Sequence, residues 1–315
     1  MKNERPLAAG VRAALTHRRL AIVLWLAIAV PAGLVCTPLG RLTKLFDESP
    51  FRAALMKGWD SWGILAWQVL RPEAWGLIHA LFLSTLVAVL LIQLFLTGGV
   101  LRTLMTGIPR PVFRRVVAES AALFKPTLWA AARYVFGLAL WMGLFVAAPA
   151  RLFGKLAEDR APNGFWTSTR ELWVLVAGLL VYYLVSLKFD LARIALAREE
   201  ARNARGAYKL AKKRMKRARG RVLALALFWT VASIAIQVLF TNVGVRMNPQ
   251  TGAGVFWLVV VRQIGFILSA MARVGFWASL IRFDEIRRDE LAPLPHVPLA
   301  WEIPPAEPVP PPLPV

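Results

Sequence analysis

Six long apolar runs alternate with polar connections along the chain, at 20–37, 76–97, 128–149, 172–191, 222–242 and 255–281. Each is close to the 20 or so residues that a bilayer-spanning helix needs. The pattern predicts an all-α polytopic membrane bundle with six transmembrane helices and short interfacial helices. The fourth run is the plainest, with no charge from Leu172 to Leu187. It leads into Arg202–Arg221, where twenty residues carry ten Lys or Arg and no acid.

The connections carry their own signals. Leu7 to Leu20, with Arg12, Arg18 and Arg19 among apolar residues, reads as a short interfacial helix entering the first span. Pro31 and the lack of a small-x-small site argue for a retained first helix over a cleaved signal. Trp59, Trp62 and Trp67 in the 38–75 connection suit a helix at headgroup level, or one packed over the mouth of the bundle. Gly98-Gly99-x-x-Arg102 reads as the exit from the second span. Phe113 to Phe124 reads as a second short amphipathic segment, and Pro126 as the first turn of the third span. Ser168-x-x-Glu171 looks like a capping box, Gly220 a break before the fifth span, and Asn248-Pro249 with Gly252 a tight turn before the sixth. Ten of the last 23 residues are proline, which predicts an extended, disordered tail or a ligand for a partner domain. The division is a basic cytoplasmic or interfacial segment 1–19, a membrane domain 20–291 and a tail 292–315.

Charge fixes an expected orientation. With the N-terminus inside, inner segments hold 25 of the 39 Lys and Arg, outer segments 10 and spans four. The positive-inside bias then places both termini in the cytoplasm. The formal charge of +21 would suggest nucleic acid in a soluble chain, but with 57% hydrophobic residues beside it, lipid headgroups are the simpler partner. No nucleic acid is expected. The polybasic residues Arg202, Arg205, Lys209, Lys212, Lys213, Arg214, Lys216, Arg217, Arg219 and Arg221 form either an anionic-lipid surface or a purely topogenic anchor.

Polar residues inside spans are the candidate site, because the bilayer should reject them. Arg262 and Arg273 in the sixth span are eleven residues apart, 20° from whole turns, and share a face with Ser269 and Gly265. Thr230, Ser233, Gln237 and Thr241 form a stripe on the fifth span. Tyr183, Ser186 and Asp190 form one on the fourth, and Arg133 lies at matching depth in the third. An Asp190–Arg273 ion pair is expected. The same residues equally suit interhelical hydrogen bonding, with Arg133 and Lys188 snorkelling to headgroups.

Catalytic signatures are absent: there is no HExxH, GxSxG or Walker sequence. His79 is the one histidine in a span, so no metal site or cofactor is expected. Cys36 is the one cysteine and excludes an intrachain disulfide. The carboxylate pairs Asp47-Glu48, Glu158-Asp159, Glu199-Glu200, Asp284-Glu285 and Asp289-Glu290 lie in connections or beyond span ends and read as solvated surface.

Four motifs, Gly98-Gly99-x-x-Arg102, Phe113…Phe124, Asp190-x-x-Arg193 and Arg282-Phe283-Asp284, give a resemblance over roughly residues 75 to 290. The chain resembles the uncharacterised bacterial six-helix inner-membrane proteins, including those labelled as a membrane domain of glycerophosphodiester phosphodiesterase. The resemblance implies a bacterial inner-membrane bundle with both ends cytoplasmic and supplies no catalytic residues. A proline tail, and no phosphodiesterase domain, follows the bundle in this sequence, so an enzyme is not expected. The expected function is that of an accessory, scaffold or lipid-interacting membrane protein with a protein partner open. The alternative is a small-solute or lipid transporter, which a solvent-continuous cavity reaching Arg262 or Arg273 would favour and a tightly packed dry interior would oppose.

Overall fold

A computed structural model describes residues 5–47, 72–107, 113–159, 164–216, 218–245 and 252–291. The described residues are helical apart from turns, with no strand among them. In chain order the helices are α1 (Pro6–Thr16), α2 (Arg18–Asp47), α3 (Pro72–Thr106), α4 (Phe113–Met142), α5 (Ala148–Asp159), α6 (Gly164–Ala197), α7 (Ala204–Met215), α8 (Arg219–Val245) and α9 (Gly252–Leu291). Five stretches are long and apolar enough to cross a membrane: His79–Thr106, Phe113–Lys155, Ser168–Ala197, Arg219–Gly244 and Phe256–Leu291. The pair α1–α2, bent by 74° at His17, makes a sixth if counted as one span through Leu34. The chain is an all-α polytopic membrane bundle.

Helix continuity exceeds the apolar runs, because hydrogen-bond propagation does not stop where hydropathy does. α2 runs on to Asp47, ten residues past the expected end of the first span. Gly98 and Gly99 lie within α3 and do not end it; there they allow α4 to approach. A Cβ on Gly99 would lie 2.1 Å from the Val116 carbonyl oxygen and 2.5 Å from Ser120 Oγ. The Gly99 N–H donates to Ser120 Oγ at 3.2 Å across this contact. Pro126 sits inside α4, which joins the expected amphipathic segment and third span into one rod, and so it does not open a helix. α6 begins at Gly164, so Ser168 and Glu171 are interior residues and cap nothing. The break before α8 falls at 216–218, and Gly220 is inside the helix. A π-turn, Gly143–Ala147, links α4 to α5, and the Phe145 carbonyl there accepts the Trp173 indole N–H at 3.0 Å. The Trp-rich 48–71 stretch, the Asn248-Pro249 turn and the proline tail fall outside the described residues.

Packing is concentrated at one end. Residues from one end of α2, α3, α4, α6, α8 and α9, together with α7, form a core containing Leu20, Val100, Val116, Leu187, Val222, Val274, Trp277 and Leu280. From Leu191 to Ala197 every residue of α6 is buried, so this stretch is enclosed on all sides. α1 is seated against α9 by its small residues Gly10 and Ala14, while Leu7, Val11 and Leu15 face outward. A Cβ on Gly10 would lie 1.8 Å from Ser279 Oγ and 2.5 Å from the Gly275 carbonyl oxygen. Water does not drive helices together within lipid, so association rests on close contact between small residues, and this end is built that way. The far halves expose large apolar side chains, among them Phe82, Phe136, Leu175, Val231 and Phe256, as lipid-facing helices do. α9 is the central helix: 44% of its most apolar window is buried, against 11–17% in the other four spans.

Candidate functional site

The packed end is pinned by charge. α7 starts at Asn203, whose side chain accepts the Gly206 N–H at 2.8 Å, and ends with Lys212, Lys213 and Arg214 in its last turn. Both features complement the helix dipole. Its neighbour α6 ends in a Schellman turn, with Glu200 N–H on the Ala195 carbonyl at 3.1 Å and Glu199 N–H on that of Leu196 at 3.0 Å. Glu199 takes the left-handed position there, at φ 60°, where glycine is usual. This turn aims Glu199 at Arg102 and Glu200 at Arg214. Arg102 also donates to Glu119 at 2.6 Å and to the Ala197 carbonyl at 3.2 Å.

Asp284 on α9 is the hub. It is 0% exposed and accepts both 2.8 Å and 3.0 Å bonds from Arg214 Nη1, while Arg198 Nη1 lies 3.3 Å away. Arg198 reaches Glu285 at 3.0 Å, and Arg287 caps α7 by donating to the carbonyls of Arg214 and Lys216 at 3.2 and 2.9 Å. Tyr208 ties α7 to α4 by donating to the Ala130 carbonyl at 3.1 Å, and burial pushes its phenol up from the ordinary value. A cleft of about 450 Å³ opens beside the network, lined in part by Arg102, Glu119, Arg198, Glu199 and Arg288.

Two expectations are corrected here. Asp284 is not solvated surface, because Arg214 of α7 and Arg198 just past the end of α6, both distant along the chain, close over it. Arg214 is not part of an anionic-lipid surface: it is 6% exposed and spent on Asp284 and Glu200. Arg217 lies outside the described residues. Arg202, Arg205, Lys209, Lys212, Lys213, Lys216, Arg219 and Arg221 are exposed. On α7 the exposed cations at 205, 209, 212 and 213 share one face, opposite buried Ala204, Ala207, Ala211 and Met215, and exposed Lys216 follows at the C-cap.

Within the spans the polar residues divide into two groups. Along the α8–α9 seam, Arg262 donates to Thr241 Oγ1 at 2.8 Å, Gln237 to Ser269 Oγ at 2.7 Å, and Trp229 to Ser279 Oγ at 3.0 Å. Gln263 accepts the Trp25 indole N–H at 2.8 Å and so ties α9 to α2. Most of the stripe therefore holds helices together; Thr230 and Ser233 lie partly buried on the same helix.

The second group runs from α6 to α3. Ser186 shares a 3.1 Å hydrogen bond with Tyr134, whose ring stacks on Phe189 at 4.8 Å. The Arg193 guanidinium lies 4.3 Å over Phe189 and 5.8 Å from the Trp277 ring, and Arg273 lies 5.0 Å from that same ring. Arg273 Nη1 then donates to Gln93 Oε1 at 2.6 Å. Asp190 pairs with Arg193, one turn along its own helix, and the expected Asp190–Arg273 pair is not formed. The nearer cation took the carboxylate. Nor do Arg262 and Arg273 share partners: the long side chain of Arg273 reaches across Trp277 to Gln93 on α3, while Arg262 donates to Thr241 on α8. Arg133 is exposed and within electrostatic reach of Tyr208, and Tyr183 packs edge-on against Tyr182 at 5.6 Å.

Sequence reasoning had no hold on Gln93, Tyr134 and Arg198, and it used Arg193 only as part of a motif. Gln93 offered one signal, an amide alone in an apolar span. Among the described residues no group of His, Cys, Asp and Glu is placed to hold a metal ion. Compared with known proteins, the chain matches no family model, no curated protein and no solved structure.

Proposed function

We propose that the chain is an accessory, lipid-interacting protein of the bacterial inner membrane, with both termini cytoplasmic, that engages anionic headgroups through the outward face of α7. The observation that carries this is the split of α7 itself. Small residues and Arg214 fix it to the bundle, and four cations on its other side, with Lys216 just past its end, are left to the surroundings. Each cation near an anionic leaflet contributes about 1 kcal/mol. The reading assigns no catalysis, no cofactor and no nucleic acid, and it leaves room for a protein partner on the same face.

The test is reconstitution in vesicles of zwitterionic lipid with or without phosphatidylglycerol. Lys209→Gln, Lys212→Gln and Lys213→Gln together should reduce the retention of anionic lipid measured by native mass spectrometry. Equal retention in the triple variant would sink the lipid-surface role, and reporter fusions at both termini check the orientation. One observation favours a second reading, small-solute or lipid transport: Arg273, a charge within a span, is exposed and bonds only to the neutral amide of Gln93 among the described residues.

A further inference from the structure

Arg273 combines features that surface cations and interhelical bonds do not. It sits at span depth among three helices, with Gln93 on α3, Arg193 and Tyr182 on α6, and Trp277 on its own α9. Those helices touch one another sparingly, α9 against α6 and against α3, and α3 against α6. The Arg273 side chain is exposed where these three helices meet. A guanidinium offers five N–H donors in a planar fork. Arg273 uses one nitrogen, on a neutral amide, and among the described residues no carboxylate offsets its charge. Beside it Arg193 is 8% exposed, and its Nε–H is buried without a partner. A charge held in this way inside a membrane is costly, and a planar fork matches an oxyanion in shape and in sign.

We propose that the exposed junction of α3, α6 and α9 is a binding site for a single oxyanion, phosphate or carboxylate, held by the free edge of Arg273. Gln93 orients that edge, and Trp277 backs it with its ring. Phosphate as the head of an anionic lipid and phosphate free in water present the same oxygens to this fork. The exposed apolar faces of the flanking helices, Leu90 on α3 and Leu179 on α6, suit an acyl chain. The site names a ligand class for the transport reading, but binding is measured without flux, so a bound anion that never moves would refute transport and keep the site.

The experiment uses the full chain in nanodiscs. One arm titrates inorganic phosphate into zwitterionic discs, and the other replaces part of the lipid with phosphatidic acid; bound ligand is counted by native mass spectrometry and thermal shift. The wild type should bind one anion in at least one arm. Arg273→Gln should weaken it about tenfold or more, the worth of one charge-assisted bond. Arg273→Lys keeps the charge but loses the fork, so it should also weaken binding, and it decides the matter if the glutamine variant does not fold. Gln93→Leu should weaken binding less than Arg273→Gln does. Binding in the lipid arm alone assigns a headgroup; binding in the phosphate arm assigns a free anion. No binding in either arm, or equal binding by wild type and Arg273→Lys, overturns the proposal.

Discussion

Asp284→Asn removes one charge from the centre of the ion-pair network and keeps the side chain's shape. Asp284 is fully buried, and the side chains of Arg214 and Arg198 are 7% and 11% exposed. Breaking a pair this deep costs about 3–5 kcal/mol, because the cation left behind cannot recover its hydration. Here both cations keep another carboxylate, Glu200 for Arg214 and Glu285 for Arg198, which puts the expected loss near the lower figure, about 3 kcal/mol. Asp289→Asn supplies the control: its contact with Arg288 is 3.9 Å long between side chains 76% and 53% exposed, and should be worth no more than about 0.5 kcal/mol. Replacing the pair together, Arg214→Met with Asp284→Leu, should recover most of the loss, since neither charge is then stranded. Reversible denaturant titration in mixed micelles, followed by helical circular dichroism, measures all four proteins. If Asp284→Asn and Asp289→Asn unfold at the same midpoint, the buried-network argument is wrong.

Three further outcomes follow from the same end of the bundle. Gly99→Ala should destabilise by about 1–3 kcal/mol and towards the upper figure, because the new Cβ meets a backbone oxygen that cannot rotate away; thermal unfolding checks it. Asn203→Ala should cost about 1 kcal/mol and speed amide exchange over Ala204–Ala207, where the α7 cap is lost. Tyr208 makes the bundle sensitive to alkali. Its phenol is raised in the folded state, so its contribution is intact below an unfolded value of about 10 and declines as pH rises towards the folded one. Tyr208→Phe should flatten that alkaline decline and cost about 1 kcal/mol at neutral pH through the lost bond to Ala130.

What the sequence disclosed depended on how local the cause was. The spans were legible because each is a continuous apolar run read against one number, the bilayer thickness. The amphipathic character of α7 was legible in part, since its cations are dense, but which of them faces inward depends on α9, and so Arg214 was misplaced. Gly98-Gly99 and Pro126 are local breaking signals that neighbouring helices overrode: α4 presses on Gly99, and nothing at Pro126 ended the helix. Asp284 was unreadable for a different reason. Its partners Arg198 and Arg214 lie 70 or more residues earlier, and an Asp-Glu pair beyond a span resembles solvated surface until α7 covers it. The intramembrane arginines were found at once because lipid makes charge conspicuous, but their partners were not. Competition between Arg193 and Arg273 for Asp190 is settled by side-chain reach, which spacing does not reveal.

The seat of α1 bears on how the protein is made. Gly10 fits against Ser279 and Gly275, more than 260 residues later in the chain. Until α9 has been inserted, the opening helix has no groove to occupy, and Arg198 and Arg214 wait for the carboxylate at 284. α9 thus acts as a keystone: the helices before it enter the bilayer first, and this end of the bundle closes only once α9 is in place. A chain truncated before residue 252 would carry most of its spans and none of this closure, which exposes it to quality-control proteolysis.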